Sequence, residues 1–240
     1  MDFDELALPL KRYVLETDKL LAFLRSMVES AALEIRHGPE ETQGAKTGSS
    51  IGDHFPLILE MVFQRFVDAF LTFISDELTI IFKRRPEMLK SNEQISITEV
   101  LETSDRDELI GLLMEKKVMA LAYKGLLELN QHLLKNFSFA LFVDTGELAR
   151  AAELVEKRNL LAHGHGYVNK RYLGRVPTAT EQLGDRLGLS AEEVMNALNS
   201  SAQQLATFMI ERSINSSLIR LFVSASVFEP SLPWTGKSAL

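Results

Sequence analysis

The chain has 240 residues, of which 46% are hydrophobic and 25% are charged, and this is the composition of a folded globular protein. It contains no cysteine, which excludes disulfides, thiolate metal sites and a cysteine nucleophile. A formal charge of −7 argues against a protein that coats nucleic acid or an anionic membrane by bulk attraction. A local basic site remains compatible with that charge.

The sequence carries no recognisable targeting or membrane signal. Its first residues are acidic, and no basic region precedes an apolar run as in a secretory signal. A membrane span needs about 20 mostly uncharged residues. The most apolar stretch, residues 55–82, is interrupted by five charged side chains, which are Glu60, Arg65, Asp68, Asp76 and Glu77. We therefore predict a cytoplasmic protein that does not enter the membrane.

Composition and apolar spacing predict an all-α fold, an antiparallel helical bundle with additional short helices. A first helix is expected over residues 4–36, followed by a loop rich in glycine and proline. A second helix, over residues 56–83, is apolar around much of its circumference. Such helices lie at the centre of a bundle or between two subunits, so we assign its aromatic residues to the core.

Shorter elements are expected in the middle of the chain. Ser96 or Thr98 can cap a short helix. Residues 105–137 should be helical in two pieces that part around residues 123–125. Residues 137–143 have the composition of a strand but nothing to pair with, so we predict a packed connector.

A helix capped by Thr145 is expected to close at Gly164. Its buried face is predicted to carry Leu148, Ala151, Ala152, Val155 and Asn159. A last long helix is expected over residues 190–223, after a turn at Gly188.

The region before that last helix fits the spacing of a DNA-binding helix-turn-helix. Its would-be recognition helix, however, begins with Glu192 and Glu193, which would repel phosphate. Ser190 and Glu193 instead predict a capping box at a helix start. We therefore expect no sequence-specific DNA binding.

These elements suggest four regions. They are an N-terminal helix packing on the bundle (1–37), a flexible loop (38–53), a helical domain (54–225) and a flexible C-terminal tail (226–240).

One window, residues 150–175, reverses the charge of the chain. It holds six basic and two acidic residues, a net of +4, in a chain of net −7. The basic residues are Arg150, Lys157, Arg158, Lys170, Arg171 and Arg175. His163 and His165 lie in the same window. A local reversal of this kind is how an acidic protein builds an anion site.

Two residues of the window suggest acid–base chemistry on an anion, namely Arg158 and His163. They lie about 140° apart around a regular helix and so cannot share one face. Either the helix ends at the histidine, which Gly164 as the residue after the cap would suit, or the function needs a second copy of the segment. Imidazole is the natural acid or base at neutral pH, and the negative end of a helix stabilises its protonated form.

The pattern Arg158-Asn159-x-x-x-His163 resembles the Arg-polar-x-x-x-His motif of HEPN domains, helical ribonuclease and RNA-binding modules of bacterial conflict systems. The flanking residues 157–177 and the middle section, residues 82–126, are similar to the RiboL-PSP-type branch of that superfamily. The resemblance covers roughly residues 55–225.

This resemblance implies a bundle that forms a homodimer, with two motifs composing one site that cleaves RNA without metal through the substrate's 2′-hydroxyl. His163 would act as general base or acid, Arg158 would bind the scissile phosphate, and Asn159 would orient one of them or the phosphate. The 2′-hydroxyl requirement would restrict the substrate to RNA. A role in phage defence or a toxin–antitoxin system, with an antitoxin or defence-system partner protein, is expected from the same resemblance.

Simpler interpretations of these residues remain open at this point. Arg158 and His163 can form an ordinary charged helix end. Five further residues are candidate RNA contacts, although they can equally be turn or solvated positions: Lys157, His165, Lys170, Arg171 and Arg175. His163 and His165 lack nearby carboxylate or thiolate ligands, so we expect no metal and no cofactor. The alternative function is a dimeric HEPN-like module that binds RNA or protein without cleaving.

Overall fold

The computed structural model describes residues 3–37, 51–90, 95–123, 125–137 and 140–199. Within these ranges the protein is helical and contains no strand, which confirms the predicted all-α class. In chain order the α-helices are α1 (Phe3–His37), α2 (Ile51–Arg84), α3 (Ile97–Glu102), α4 (Arg106–Tyr123), α5 (Leu126–Phe137), α6 (Thr145–Gly164), α7 (Lys170–Arg175) and α8 (191–199). A 3₁₀ turn, Pro86–Leu89, follows α2.

Helix α2 is the central element of the described part of the chain, since it packs against α1, α4 and α6. Tyr13 of α1 lies against Phe73, with ring centroids 5.5 Å apart, and Glu16 pairs with Arg65 at 2.7 Å. The two helices therefore run antiparallel. The aromatic residues of α2 fill the core as predicted, and Phe63, Phe66, Phe70, Phe73 and Phe82 are all buried.

The bounds of the first two helices test the sequence predictions. Helix α1 ends within one residue of the expected position, but α2 begins at Ile51 rather than at residue 56. The assignment of residues 51–53 to a loop was therefore wrong. Pro56 lies in the second turn of α2 rather than at its first residue. Residues 38–50 lie outside the described residues.

The short helices and the connector lie where the local sequence predicts them. Ser96 rather than Thr98 caps α3, through a capping box in which Ser96 and Glu99 each bond the other's backbone N–H at 3.2 Å. Helices α4 and α5 part at Gly125, whose φ of 85° favours glycine. The connector prediction is confirmed at residues 140–143, where the Asn130 side chain accepts the Phe142 N–H at 3.0 Å and donates to its carbonyl at 3.1 Å.

The cap of α6 differs from the prediction. Asp144, not Thr145, is the N-cap, and its carboxylate accepts the Glu147 N–H at 2.7 Å. A carboxylate also favours the positive end of the helix, which a threonine hydroxyl cannot do to the same degree. Four of the five residues predicted for the inner face of α6 are buried: Leu148, Ala151, Ala152 and Val155.

Helix α8 begins as its sequence predicts. Ser190 and Glu193 form the capping box, with the Glu193 N–H donating to the Ser190 hydroxyl at 3.1 Å. Residues 179–190 are not helical, so the helix that should precede a recognition helix is missing there. The remainder of the predicted last helix, and the tail at 226–240, fall outside the described residues. Of the helices that can be described, none is long and apolar enough to cross a membrane.

Candidate functional site

A pocket of about 430 Å³ opens between helices α2, α5, α6 and α7. Its wall from α2 and α5 is largely apolar, with Leu71, Ile74, Leu78, Leu126 and Leu129. The opposite wall, from α6 and α7, is polar and cationic, with Glu156, Arg158, Asn159, His163, Asn169, Arg171 and Arg175. The pocket thus presents a charged side that can hold an anion and an apolar side that can hold a neutral group.

The structure brings the predicted motif together in a single chain. Arg158, Asn159 and His163 all line this pocket. Arg158 and His163 line the same pocket although they lie about 140° apart around α6, which ends at Gly164, one residue after His163.

The end of α6 is closed by a different residue from the one expected. His165, with φ 51°, adopts the left-handed conformation that we had assigned to Gly164. The Leu160 carbonyl accepts the N–H groups of both His165 and Gly166, the second at 3.1 Å. A side chain on Gly164 would meet Leu160 Cδ1 at 3.2 Å and the Asn169 amide at 3.6 Å. Glycine at 164 therefore allows the following segment to return close to the helix.

That return segment is anchored by backbone bonds. The Val168 N–H donates to the Asp185 carbonyl at 2.8 Å, and the Leu187 N–H donates to the Gly166 carbonyl at 2.8 Å. Arg186 then pairs with Glu60 of α2 at 2.9 Å. These bonds fix the turn that follows His163, so the exposed imidazole stands on a rigid support.

Helix α7 carries two of the pocket's arginines. The Asn169 side chain caps it by accepting the Tyr172 N–H at 2.9 Å. Tyr172 is only 2% exposed and anchors the helix against the bundle, which leaves Arg171 and Arg175 at the pocket wall. Burial, and then the nearby carboxylates of Glu181 and Glu153, raise the pKa of the Tyr172 phenol to about 12.

Arg158 is held by two neighbours. Its Nη2 lies 2.6 Å from Oδ1 of Asp68 on α2, and its Nη1 donates to the Asn159 amide oxygen at 3.2 Å. Its Nε is buried and has no hydrogen-bond partner among the described residues. Asn159 thus contacts Arg158 directly, and the contact with Asp68 was not predicted.

Arg175 is also paired. Its Nη1 lies 2.7 Å from Oε1 of Glu156, a carboxylate that is only 9% exposed. This contact joins α6 to α7 across the pocket wall, so part of the predicted RNA-binding charge of Arg175 is used within the protein.

Of the remaining predicted RNA contacts, only one lines the pocket. Arg171 is exposed and lines the pocket, whereas Lys157 does not line it and pairs with Glu153 on the same helix at 2.9 Å. His165 and Lys170 are exposed and lie outside the pocket lining. In the described ranges, no three histidine or carboxylate side chains lie close enough together to hold a metal ion.

Sequence reasoning missed Asp68, Glu156 and Tyr172 as parts of the site. Asp68 is one of the five charged residues that interrupt the apolar stretch of α2. Three of the five pair with a residue of another element: Asp68 with Arg158, Glu60 with Arg186 and Arg65 with Glu16.

The arrangement can perform two chemical tasks. Guanidinium groups such as Arg158 and Arg171 bind phosphate or carboxylate oxygens through charge-assisted hydrogen bonds. The imidazole of His163 is exposed at the pocket, and imidazole is the side chain that most often serves as a general acid or base. Comparison of the chain with models of protein families, with curated proteins and with solved structures finds no match.

Proposed function

We propose that the protein is a metal-independent endoribonuclease of HEPN type. The observation that carries this proposal is the convergence of Arg158, Asn159 and His163 on one pocket, beside the further guanidinium of Arg171. A general acid–base group next to an anion-binding group is what phosphodiester cleavage requires.

In this mechanism His163 removes the proton from a 2′-hydroxyl, whose oxygen attacks the adjacent phosphorus. The bond from phosphorus to the 5′-oxygen breaks, and a protonated imidazole supplies the leaving oxygen with its proton. Arg158 neutralises the charge that grows on the non-bridging oxygens. The substrate is RNA, because DNA lacks the attacking hydroxyl.

A homodimer would complete the site. His163 is exposed at the rim of the pocket rather than enclosed, so a second copy of α6 facing it would exclude water and supply the second acid–base group. One imidazole would then act as base and the other as acid. The biological setting we propose is phage defence or a toxin–antitoxin system with a partner protein.

A second candidate function is a dimeric HEPN-like module that binds RNA or protein without cleaving it. One observation favours it. Arg158 and Arg175 already pair with carboxylates, at 2.6 Å and 2.7 Å, so both guanidinium groups are partly neutralised inside the chain. Such pairs lower the charge that the pocket offers to a phosphate.

RNA cleavage in EDTA distinguishes the two. The purified protein should cleave a mixed RNA panel, and His163→Ala should lower the rate by about 10²–10⁴-fold. Arg158→Ala should lower it by about 10²–10³-fold. Matched controls are His54→Ala and Arg150→Ala, both exposed and outside the pocket lining, and these should cleave like the wild type.

If the wild-type protein leaves every RNA of the panel intact, the ribonuclease proposal is refuted and the binding module remains. Cleavage that EDTA abolishes would refute the metal-free mechanism. A sedimentation mass of 27.0 kDa at micromolar concentration, that of a single chain, would contradict the composite site.

A further inference from the structure

We propose that the Asp68 carboxylate occupies the phosphate position of Arg158 in the free protein, and that an RNA phosphate binds by displacing it. This inference rests on the proposed function, since it concerns the affinity of the same site. It makes Asp68, a residue of α2, the determinant of how tightly the pocket holds a phosphodiester.

The first ground is the geometry of the guanidinium. Nη2 of Arg158 meets Asp68 Oδ1 at 2.6 Å and Nη1 meets Asn159 at 3.2 Å, while Nε has no partner within the described part of the chain. A guanidinium binds a tetrahedral anion best through two parallel N–H groups. The Nε–Nη2 edge is suited to that, but Asp68 occupies Nη2, and Nε is buried.

The second ground is where Asp68 lies. It precedes Leu71 by one turn and Ser75 by two turns on α2, and both of these residues line the pocket. Asp68 itself is not among the lining residues, and its pair with Arg158 lies beside the α2 wall of the pocket. A phosphate that binds Arg158 in the pocket must therefore compete with Asp68 for the guanidinium.

The third ground is the exposure of the two partners. The Asp68 side chain is 41% exposed and that of Arg158 is 23% exposed. Asp68 can therefore swing into water and regain its hydration at little cost. Arg158 is packed more deeply and stays at the pocket when the pair opens. The Glu156–Arg175 pair differs, because its carboxylate is only 9% exposed and has no comparable way out.

The test is anion binding by Asp68→Asn, which keeps the shape and the hydrogen-bonding oxygen but removes the charge. The probes are inorganic phosphate and an RNA oligonucleotide whose 2′-hydroxyls are methylated, so that binding is measured without cleavage. We expect Asp68→Asn to bind the oligonucleotide about fivefold to tenfold more tightly than the wild type. Arg158→Ala in the same background should abolish the gain.

The matched control is Glu16→Gln. Glu16 pairs with Arg65 of α2 at 2.7 Å, and neither residue lines the pocket. The two variants change the net charge by the same amount, so a general charge effect would tighten binding equally in both. Thermal unfolding of each variant checks that the fold is kept.

If Asp68→Asn and the wild type bind the oligonucleotide with equal affinity, the proposal is overturned. Weaker binding by Asp68→Asn, an equal gain in Glu16→Gln, or no binding by any variant would do the same. The ribonuclease proposal can fail separately. If Asp68→Asn binds more tightly while no variant cleaves RNA, Asp68 still competes with phosphate, but in a binding module rather than an enzyme.

Discussion

The Glu156–Arg175 ion pair gives the sharpest prediction about stability. Arg175→Ala leaves a carboxylate that is 9% exposed without its cation. Removing one partner of a fully buried pair costs about 3–5 kcal/mol, and of a surface pair about 0.2–1 kcal/mol. Because Arg175 is itself 35% exposed, we expect a loss of about 2 kcal/mol in the free energy of unfolding.

Glu156→Gln should cost less, about 1 kcal/mol, because a neutral amide can still accept from Arg175. The double variant should cost about as much as Arg175→Ala alone, a coupling of about 1 kcal/mol. Urea unfolding followed by circular dichroism measures all three. Arg171→Ala is the matched control, an exposed arginine of the same helix, and should stay within about 0.5 kcal/mol of the wild type.

The reasoning fails if Arg175→Ala is no more destabilising than Arg171→Ala. It also fails if the two single changes add without coupling, because the carboxylate and the guanidinium would then not depend on each other. Either result would return Arg175 to the group of freely available RNA contacts.

Three further predictions concern α6, α7 and the connector between α5 and α6. Asp144→Ala should lower the free energy of unfolding by about 1 kcal/mol through loss of the N-cap, whereas Thr145→Ala should have little effect. Since the folded-state pKa of Tyr172 is raised to about 12, above the value of an unfolded chain, stability should fall as pH rises from about 10 to 12. Tyr172→Phe should remove that fall, and the phenolate absorbance at 295 nm should lose its last-titrating component. Asn130→Ala should cost about 2 kcal/mol, because both backbone bonds to Phe142 are lost, and chemical denaturation would show it.

Much of the fold could be predicted because its signals are local. The Ser96 capping box, the break at Gly125 and the start of α8 at Ser190 each depend on residues within four positions of one another. Where two adjacent residues could both cap a helix, the local sequence did not show which of them does so. Asp144 and Thr145 are both good caps, and in the structure the carboxylate of Asp144 accepts the Glu147 N–H.

The site was predictable only in part. The charge reversal around Arg158 and His163 drew attention to residues that line one pocket. Two residues about 140° apart on a helix can still reach the same pocket, because an arginine side chain extends several ångströms from its backbone. Asp68 lies 90 residues before Arg158 in the sequence, so only the packing of α2 on α6 reveals their contact.

Four helices line the pocket, with residues that run from Leu71 to Arg175. Residues 125–175 include three of these helices but lack the side that α2 supplies. The isolated segment 145–175 would hold the complete motif and still lack a pocket. Ligand binding and the folded bundle should therefore disappear at the same denaturant concentration, which makes binding at this pocket a direct measure of whether the whole bundle is assembled.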